Sequence, residues 1–443
     1  MTGVSTAVVL AGGKGTRLAS AFPDLAKPMV PVDGLPIAEH LVRTYAAQGV
    51  RRFIFTLGYR GNQLRAHFGD GSAWGVSVEY FEEREPLGTA GALAELQDEL
   101  GAAPFWVFYA DTLSSVDLSR MEAHHRANYA DATLLVHPND HPYDSDLVDA
   151  EPTGRVRAVF GKPHPADREV RNVVNAALYL LEPSMLREIP RGVASDFGRD
   201  LFPKWAASHR LYAYSTPEYI KDMGKPERRA QVEAALRQGK VEARNLRNRQ
   251  RAVFLDRDGV INVDSDLIKH PDELVLVPGA AAAIHALNQS DLIAVVVTNQ
   301  SVVARNLTDE AGVDRIHARM ERLLADEAGA FVDAIYYCPH HPHGGFPEEN
   351  PAYKIECSCR KPKPGMLLAA ADRFNIDLSS SYLVGDSPRD IEAGQAAGVA
   401  ATLRVRTGHG LKPSTAAPTV QVDDLSAAVA WILEREKSRT SQA

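Results

Sequence analysis

Two aspartates stand two residues apart in Asp256-Arg-Asp258-Gly-Val260, directly after the apolar run Ala252-Val-Phe-Leu255. The carboxyl end of a strand is where α/β sheets place chemistry. Such a pair chelates a cation, supplies a nucleophile with a general acid beside it, or caps a turn. The later segments Thr298-Asn299, Lys361 and Gly385-Asp386-Ser-Pro-Arg-Asp390 favour chemistry. A second constellation is sulfur-rich. All three cysteines fall in one short stretch, as Cys338-Pro-His340 and Cys357-Ser-Cys359. An odd number makes a poor disulfide framework, and thiols gathered in a reducing compartment are more often metal ligands than bridges. Three sulfurs and a nitrogen suit closed, tetrahedral Zn²⁺, with His341 and His343 as rivals to His340. Without an open coordination position the zinc would be structural, pinning the loop before Arg360 and Lys361. A third constellation is Ala11-Gly-Gly-Lys-Gly-Thr-Arg-Leu18. Its glycines Gly12, Gly13 and Gly15 leave backbone N–H groups open to an anion, and Lys14 and Arg17 add positive charge. A tight strand-to-helix connection explains such a turn equally well, so its neighbours decide. The spacing is neither the Walker nor the GxGxxG pattern, and Lys27-Pro28-Met29 follows.

The elements that must position these groups read as strands alternating with helices. Ala7–Ala11 and Ala252–Leu255 each open a domain, and further β-like runs lie at 52–57, 105–109, 132–136, 292–298 and 382–384. Helix-length segments such as Pro36 to Gln48 separate them, which predicts parallel α/β sheets in both halves. Lys225 to Arg251 has helical composition with a break at Gly239, suiting a solvated terminal helix that runs into a linker. The expected division is a first domain over 1–240, a linker over 241–250 and a second domain over 251–443. No internal repeat or low-complexity segment is present.

Composition sets the outer bounds. With 443 residues, roughly 150 per domain gives two to three folded units. Hydrophobic residues at 45% and charged residues at 24% are ordinary for globular chains, which excludes disordered, collagen-like and disulfide-scaffold classes. The 49 Lys and Arg against 57 Asp and Glu give a net charge of -8, without the basic excess that nucleic-acid binding calls for. No apolar run approaches the ~20 residues of a bilayer span, and Met1 to Thr6 is too short for a secretion signal. The expectation is a cytoplasmic protein with small-molecule substrates and neither nucleic-acid nor membrane partners.

The stretch Leu10 to Pro31 closely resembles the sugar-1-phosphate nucleotidyltransferase family, whose opening motif is LAGGxGTRL followed by KPM. The resemblance runs to about residue 235 through Glu85-Pro-Leu-Gly-Thr-Ala90, Asp111 and Lys221-Asp-Met-Gly-Lys-Pro226. It implies a Rossmann-like mixed sheet. The implied reaction is attack of a sugar 1-phosphate oxygen on the α-phosphorus of an NTP, releasing pyrophosphate. That chemistry needs charge neutralisation more than an acid or base. The resemblance assigns Leu10, Gly12, Gly13, Gly15 and Thr16 to the nucleotide, and Arg17 and Lys27 to the triphosphate. It assigns Glu85, Gly88 and Thr89 to the base and sugar side, Asp111 and Asp222 to Mg²⁺, Lys162 to the sugar phosphate and Asn175 to the sugar pocket. Departures from the family pattern are Tyr109-Ala-Asp111, Phe160-Gly-Lys162 and Asn175-Ala-Ala177. The details Leu57-Gly-Tyr59, Phe68-Gly-Asp-Gly-Ser72 and Trp74-Gly75 look most like the branch handling mannose and heptose 1-phosphates, which commonly uses GTP. The residues themselves leave guanine and adenine open.

The second half resembles the haloacid dehalogenase superfamily of phosphatases, which implies a Rossmannoid parallel sheet. Asp256 is then the nucleophile and Asp258 the general acid and base. Thr298, Asn299 and Lys361 hold the phosphoryl group, and Mg²⁺ sits on Asp256, the Asp258 carbonyl and Asp386. Val253 to Asn262, Thr298-Asn-Gln-Ser301, Tyr337 to Pro342 and Cys359 to Met366 resemble one subfamily, the D-glycero-D-manno-heptose 1,7-bisphosphate 7-phosphatases. Histidinol-phosphate phosphatases are its near relatives. The resemblance favours His340 beside Cys338, Cys357 and Cys359, and places Arg360, assisted by Arg305, on the remote phosphate. Ser387 stands where a lysine often follows Asp386. Heptose 1-phosphate is the product of one half and the kind of acceptor the other half uses. The expectation is therefore a bifunctional enzyme giving GDP-heptose, with Mg²⁺ in both domains and Zn²⁺ in the second. Two alternatives stand beside it. One is a histidinol-phosphate or other sugar-phosphate phosphatase fused to a different transferase. The other is a first half that only binds nucleotide and regulates the second.

Overall fold

The computed structural model describes residues 2–13, 21–165, 169–344, 348–409 and 416–440. Gly15, Thr16 and Arg17 lie outside the described residues, as do Lys14 and Leu18. The chain divides into two compact units. The first comprises Met1–His137, Tyr143–His164 and Val174–Asn245; the second comprises Pro138–Pro142, Pro165–Val173 and Leu246–Ala443. Val241 is buried in a core of the first unit and Leu246 in a core of the second, so the segment read as a linker is packed.

The first unit is built on a nine-stranded mixed sheet. Strand Thr6–Leu10 lies at its centre, parallel to Arg52–Leu57 on one side and Phe105–Tyr109 on the other. Strand Val174–Leu181 runs antiparallel to Phe105–Tyr109 and to Ala132–His137. Alternation dictates the packing: Ala7 and Val9 enter one core with Phe53, Phe55, Trp106 and Phe108. Helix Ile37–Ala46 covers that face with Ala38, Leu41, Val42 and Tyr45. A two-stranded ribbon, Thr112–Ser115 against Tyr219–Asp222, is separate from the main sheet. The helix expected after residue 225 forms as Pro226–Arg237. It ends before Gly239, whose φ of 71° is left-handed and starts a short helix, Lys240–Ala243.

The second unit holds a six-stranded, wholly parallel sheet. Its order is Ala334–Cys338, Ile293–Asn299, Ala252–Leu255, Tyr382–Gly385, Ala401–Val405, Val420–Val422. Both faces of the strands are apolar, which is why they read as continuous hydrophobic runs. Val253, Leu255, Ala294 and Val296 enter one core with helices Ala280–Gln289, Glu310–Ala328 and Leu425–Thr440. Ala252, Phe254, Ile293, Val295 and Val297 enter the other, with helices Gly365–Phe374 and Pro388–Ala397. The consequence is that Asp256, Thr298 and Asp386 are delivered to the same sheet edge, at the carboxyl ends of three adjacent strands.

Candidate active sites

In the second unit the nucleophile candidate follows strand Ala252–Leu255, its backbone N–H still donating to Val384 O at 2.9 Å. Lys361 is 2% exposed and places Nζ 2.9 Å from Asp256 Oδ1 and 2.5 Å from Asp390 Oδ1, while donating to Val297 O at 2.8 Å. Asn299 fixes the lysine's main chain by accepting Lys361 N–H at 3.0 Å and donating to Lys361 O at 3.1 Å. Asp256, Asp386 and Asp390 bring carboxylate oxygens within 4.8 Å of one another. Burial pushes Asp256 well above the usual carboxylate range, and neighbouring Asp390, Asp386 and Asp258 add to this against the pull of Lys361. Asp386 is pushed up to about 6 by burial and by Asp390. Crowded, dehydrated carboxylates of this kind are neutralised by a hard divalent cation with oxygen ligands, so the residues fit Mg²⁺.

Asp258 behaves differently. Burial opposes its charge, yet Arg257, Asn262 and Gln300 together hold it below the ordinary range. Arg257, itself 1% exposed, donates to Asp258 Oδ1 from Nη2 at 2.7 Å and from Nε at 3.1 Å. Asn262 Nδ2 donates at 3.0 Å and Gln300 Nε2 at 2.9 Å, the latter also reaching Thr298 Oγ1 at 2.8 Å. Two glycines make room for Asp386: a Cβ at Gly259 would lie 2.5 Å, and one at Gly408 2.4 Å, from its Oδ2. The His409 N–H donates to that oxygen at 2.6 Å, while its ring meets Asp264 at 2.7 Å. Arg305 is partly buried, with its Nε shielded from solvent and without a hydrogen-bond partner among the described residues. Arg360 donates to His340 O at 3.0 Å.

The sulfur-rich set converges. Cys338 Sγ is 3.7 Å from His340 Nδ1 and 3.6 Å from Cys357 Sγ; Cys359 Sγ is 3.4 Å from His340 Nδ1 and 3.3 Å from Cys357 Sγ. Tetrahedral zinc with ligands at ~2.1–2.3 Å separates its donors by about 3.6–3.8 Å, so the four atoms fit. Among the described residues the converging donors are Cys338, His340, Cys357 and Cys359, without the rivals His341 and His343; His341 Nδ1 lies 3.3 Å from His343 O.

In the first unit, Lys27 forms an ion pair with Asp111, just beyond strand Phe105–Tyr109. The ribbon register pairs Asp222 with Thr112, the residue after Asp111, and Met223 N–H donates to Asp111 O at 2.9 Å. Lys162 is exposed and donates to Asp144 O at 2.9 Å. Asn175 donates to the Tyr179 hydroxyl at 3.2 Å and accepts Ala177 N–H at 3.3 Å. Gly88 has a φ of 76°, and a Cβ there would meet Ser195 O at 2.5 Å. Thr89 donates to Asp196 at 2.7 Å and accepts Phe197 N–H at 3.0 Å. Glu85 is exposed. Glu83, two residues earlier, packs on the glycine loop, its Oε1 2.6 Å from where a Gly12 Cβ would stand and its Oε2 accepting Leu87 N–H at 3.0 Å. Burial raises its pKa. Leu10 ends the central strand, and Gly13 has open space where a side chain would begin.

The structure places Glu83, Asp264, Gln300 and His409 beside the candidate residues, and no motif in the sequence singles them out for that place. Gln300 lies inside Thr298-Asn-Gln-Ser301 and Asp264 two residues beyond Asn262; Glu83 and His409 are brought in only by chain reversal.

A parallel sheet with a buried aspartate cluster and a lysine at its carboxyl edge is an α/β framework suited to phosphoryl chemistry, and a mixed sheet whose first strand leads to Gly12 and Gly13 is an α/β framework suited to an anionic ligand. The nucleotidyl transferase family matches residues 6–239, and the HAD-hydrolase-like family matches residues 358–428. Mannose-1-phosphate guanylyltransferase of Mycobacterium tuberculosis is 38% identical over 226 residues, 50% of this chain. The chain spans 61% of that relative's length. D-glycero-beta-D-manno-heptose-1,7-bisphosphate 7-phosphatase of Bordetella bronchiseptica is 47% identical over 161 residues, 36% of this chain and 83% of the relative. The crystal structure of HddC from Yersinia pseudotuberculosis aligns with a TM-score of 0.46 at 26% identity, covering 53% of this chain and 100% of that one. The chain belongs to the nucleotidyl transferase family through its first half and to the heptose bisphosphate phosphatase family through its second. The α/β class expected for both halves holds; the parallel sheet expected from strand–helix alternation is found in the second, whereas the first is mixed because Val174–Leu181 returns antiparallel between its neighbours. Among the described residues no helix is long and apolar enough to cross a membrane.

Proposed function

We propose that the chain is a bifunctional enzyme of nucleotide-activated heptose synthesis. It removes the 7-phosphate of D-glycero-D-manno-heptose 1,7-bisphosphate and then transfers GMP from GTP to heptose 1-phosphate, giving GDP-heptose and pyrophosphate. One observation carries the reading: a single chain joins relatives of a heptose bisphosphate phosphatase and of a sugar-1-phosphate guanylyltransferase, so that the product of one half is an acceptor for the other.

In the phosphatase half, Asp256 attacks phosphorus, the bond from phosphorus to the sugar oxygen breaks, and Asp258 gives that oxygen a proton, which it must first take up from solvent because Arg257, Asn262 and Gln300 hold it ionised in the free site. Asp258 then takes a proton from water, whose oxygen displaces Asp256 and releases phosphate. Lys361 and Thr298 hold phosphoryl oxygens, and Arg360 with Arg305 takes the remote phosphate. Asp256, the Asp258 carbonyl and Asp386 would hold Mg²⁺, which neutralises phosphoryl charge. Cys338, His340, Cys357 and Cys359 would hold a structural Zn²⁺ that fixes the segment leading into Arg360. In the transferase half Lys27, with Arg17, takes the triphosphate and Lys162 the sugar phosphate, while Asp111 and Asp222 would hold Mg²⁺. Glu83 supports a guanine-reading role. A carboxylate only accepts hydrogen bonds; guanine offers N–H donors at N1 and N2, whereas adenine presents an acceptor at N1.

The test is to incubate the full chain with each anomer of the bisphosphate, Mg²⁺ and an equal mixture of four NTPs, and to identify products by mass spectrometry. GDP-heptose from one anomer is the expected result. Heptose 1-phosphate accumulating without a nucleotide sugar would sink the transferase half of the reading. Absence of phosphate release would sink the phosphatase half.

A further inference from the structure

Arg228 occupies the first turn of helix Pro226–Arg237. A cation is electrostatically unfavourable there, because the helix dipole presents its positive end. Two carboxylates account for its placement. Its Nη1 donates to Asp222 Oδ2 at 2.6 Å and its Nη2 to Asp144 Oδ2 at 2.5 Å, with the side chain only 12% exposed. Asp222 is also fixed through Oδ1, which accepts Gly224 N–H at 2.7 Å. Asp144 is the meeting point of further cations: Lys225 Nζ lies 3.7 Å from its carboxylate, and Lys162 Nζ donates to its carbonyl at 2.9 Å. Each partner thus occupies a role that a ligand would fill. The guanidinium occupies the Oδ2 that Asp222 would offer to a divalent cation, and the Asp144 carboxylate lies against Arg228 and Lys225, with Lys162 on its carbonyl.

We propose that Arg228 is an exchange cation linking the metal to the acceptor. Without metal it neutralises Asp222 and is clamped to Asp144. When a divalent cation takes Asp222, the guanidinium is released toward the phosphate of the sugar 1-phosphate, a geometry for which its planar fork is suited. Metal and acceptor therefore bind cooperatively, each raising the other's affinity by the same factor. Arg228 is in this sense a substrate-binding and positioning residue of the transferase site. The inference rests on the transferase reading above.

The experiment is calorimetric titration of the full chain with α-D-mannose 1-phosphate as the acceptor probe, with and without Mg²⁺, and of Mg²⁺ alone. The variants are Arg228→Gln, Arg228→Lys and Asp144→Asn. Any contribution of the phosphatase half is common to all of them. In the wild type, Mg²⁺ is expected to tighten acceptor binding at least about fivefold. Arg228→Gln abolishes that dependence, weakens acceptor binding in Mg²⁺ by about tenfold, and tightens Mg²⁺ binding because a competing cation is gone. Arg228→Lys retains part of the coupling, which separates the role from simple misfolding. Asp144→Asn raises acceptor affinity in the absence of metal. Equal Mg²⁺ dependence in wild type and Arg228→Gln, with acceptor bound by both, would overturn the exchange while leaving the transferase reading intact. A wild-type chain that binds neither this sugar 1-phosphate nor GTP at any Mg²⁺ concentration would overturn both.

Discussion

At the residue scale, Asp386 links pH to stability, and in the proposed Mg²⁺ site it would link both to the metal. Burial and the neighbouring Asp390 push it up to about 6 in the metal-free unit. A raised carboxylate holds its proton more tightly in the folded state, so its contribution to stability is present at low pH and is lost as pH rises toward about 6. Mg²⁺ requires the carboxylate form, so its stabilisation follows the opposite course. The rise in the second unit's unfolding temperature on adding Mg²⁺ is expected to be large at pH 7.5 and to collapse as pH falls through about 6. Differential scanning fluorimetry with Asp386→Asn as the control checks this, since the variant should show little Mg²⁺ effect at either pH. Glu83 gives the second prediction at this scale. Glu83→Gln keeps the shape but adds a donor, so the preference for GTP over ATP, measured as the ratio of kcat/KM values, is expected to fall by roughly tenfold or more. An unchanged ratio would remove Glu83 from base reading.

At the scale of elements, the strand Val174–Leu181 carries a register shift between Asn175 and Tyr179, and inside it Ala177 has a φ of 56°. Left-handed backbone costs a residue with a Cβ about 1–2 kcal/mol, offset in part by the entropy glycine loses on folding. Ala177→Gly is therefore expected to stabilise the first unit by about 0.5–1 kcal/mol, a rise of a few degrees in its melting temperature. Ala177 belongs to one of the departures from the family pattern, and what it brings is backbone strain. The sulfur-rich loop makes the other prediction. Its four donors converge only because the chain folds back between Cys338 and Cys357. Removing metal with a strong chelator is expected to weaken binding of the bisphosphate through Arg360, raising KM more than it lowers kcat, and Zn²⁺ is expected to restore it. A metal analysis finding no zinc in protein purified without chelator would count against it.

At the scale of the whole molecule, the residues proposed for the two chemistries are disjoint. Asp256→Asn is expected to abolish phosphate release while nucleotidyl transfer to supplied heptose 1-phosphate persists, and Asp111→Ala to do the reverse; loss of both in either variant would refute independent sites. This division was legible in the sequence because strand ends announce themselves: runs such as Arg52–Leu57, Phe105–Tyr109 and Ala252–Leu255 form strands with the expected bounds, and their following residues carry the motifs. What escaped was everything supplied by chain reversal. Arg228 reads as one of several arginines on a solvated helix, and only folding sets it between Asp222 and Asp144. The same holds for His409, more than 100 residues from Asp264. The packing of 241–250 also escaped, because a charged, helix-prone stretch has no pattern that reveals two small apolar anchors, Val241 and Leu246.

The two-stranded ribbon carries one more consequence. Asp222 lies opposite Thr112, and Met223 N–H reaches Asp111 O, because Tyr219–Asp222 is in register with Thr112–Ser115. Since successive strand residues face opposite ways, the ribbon works as a ratchet with a single correct tooth. Deleting one residue from the turn that leads into Tyr219 would break that pairing and turn Asp222 to the other face, and is expected to abolish nucleotidyl transfer with every one of its chemical groups still encoded.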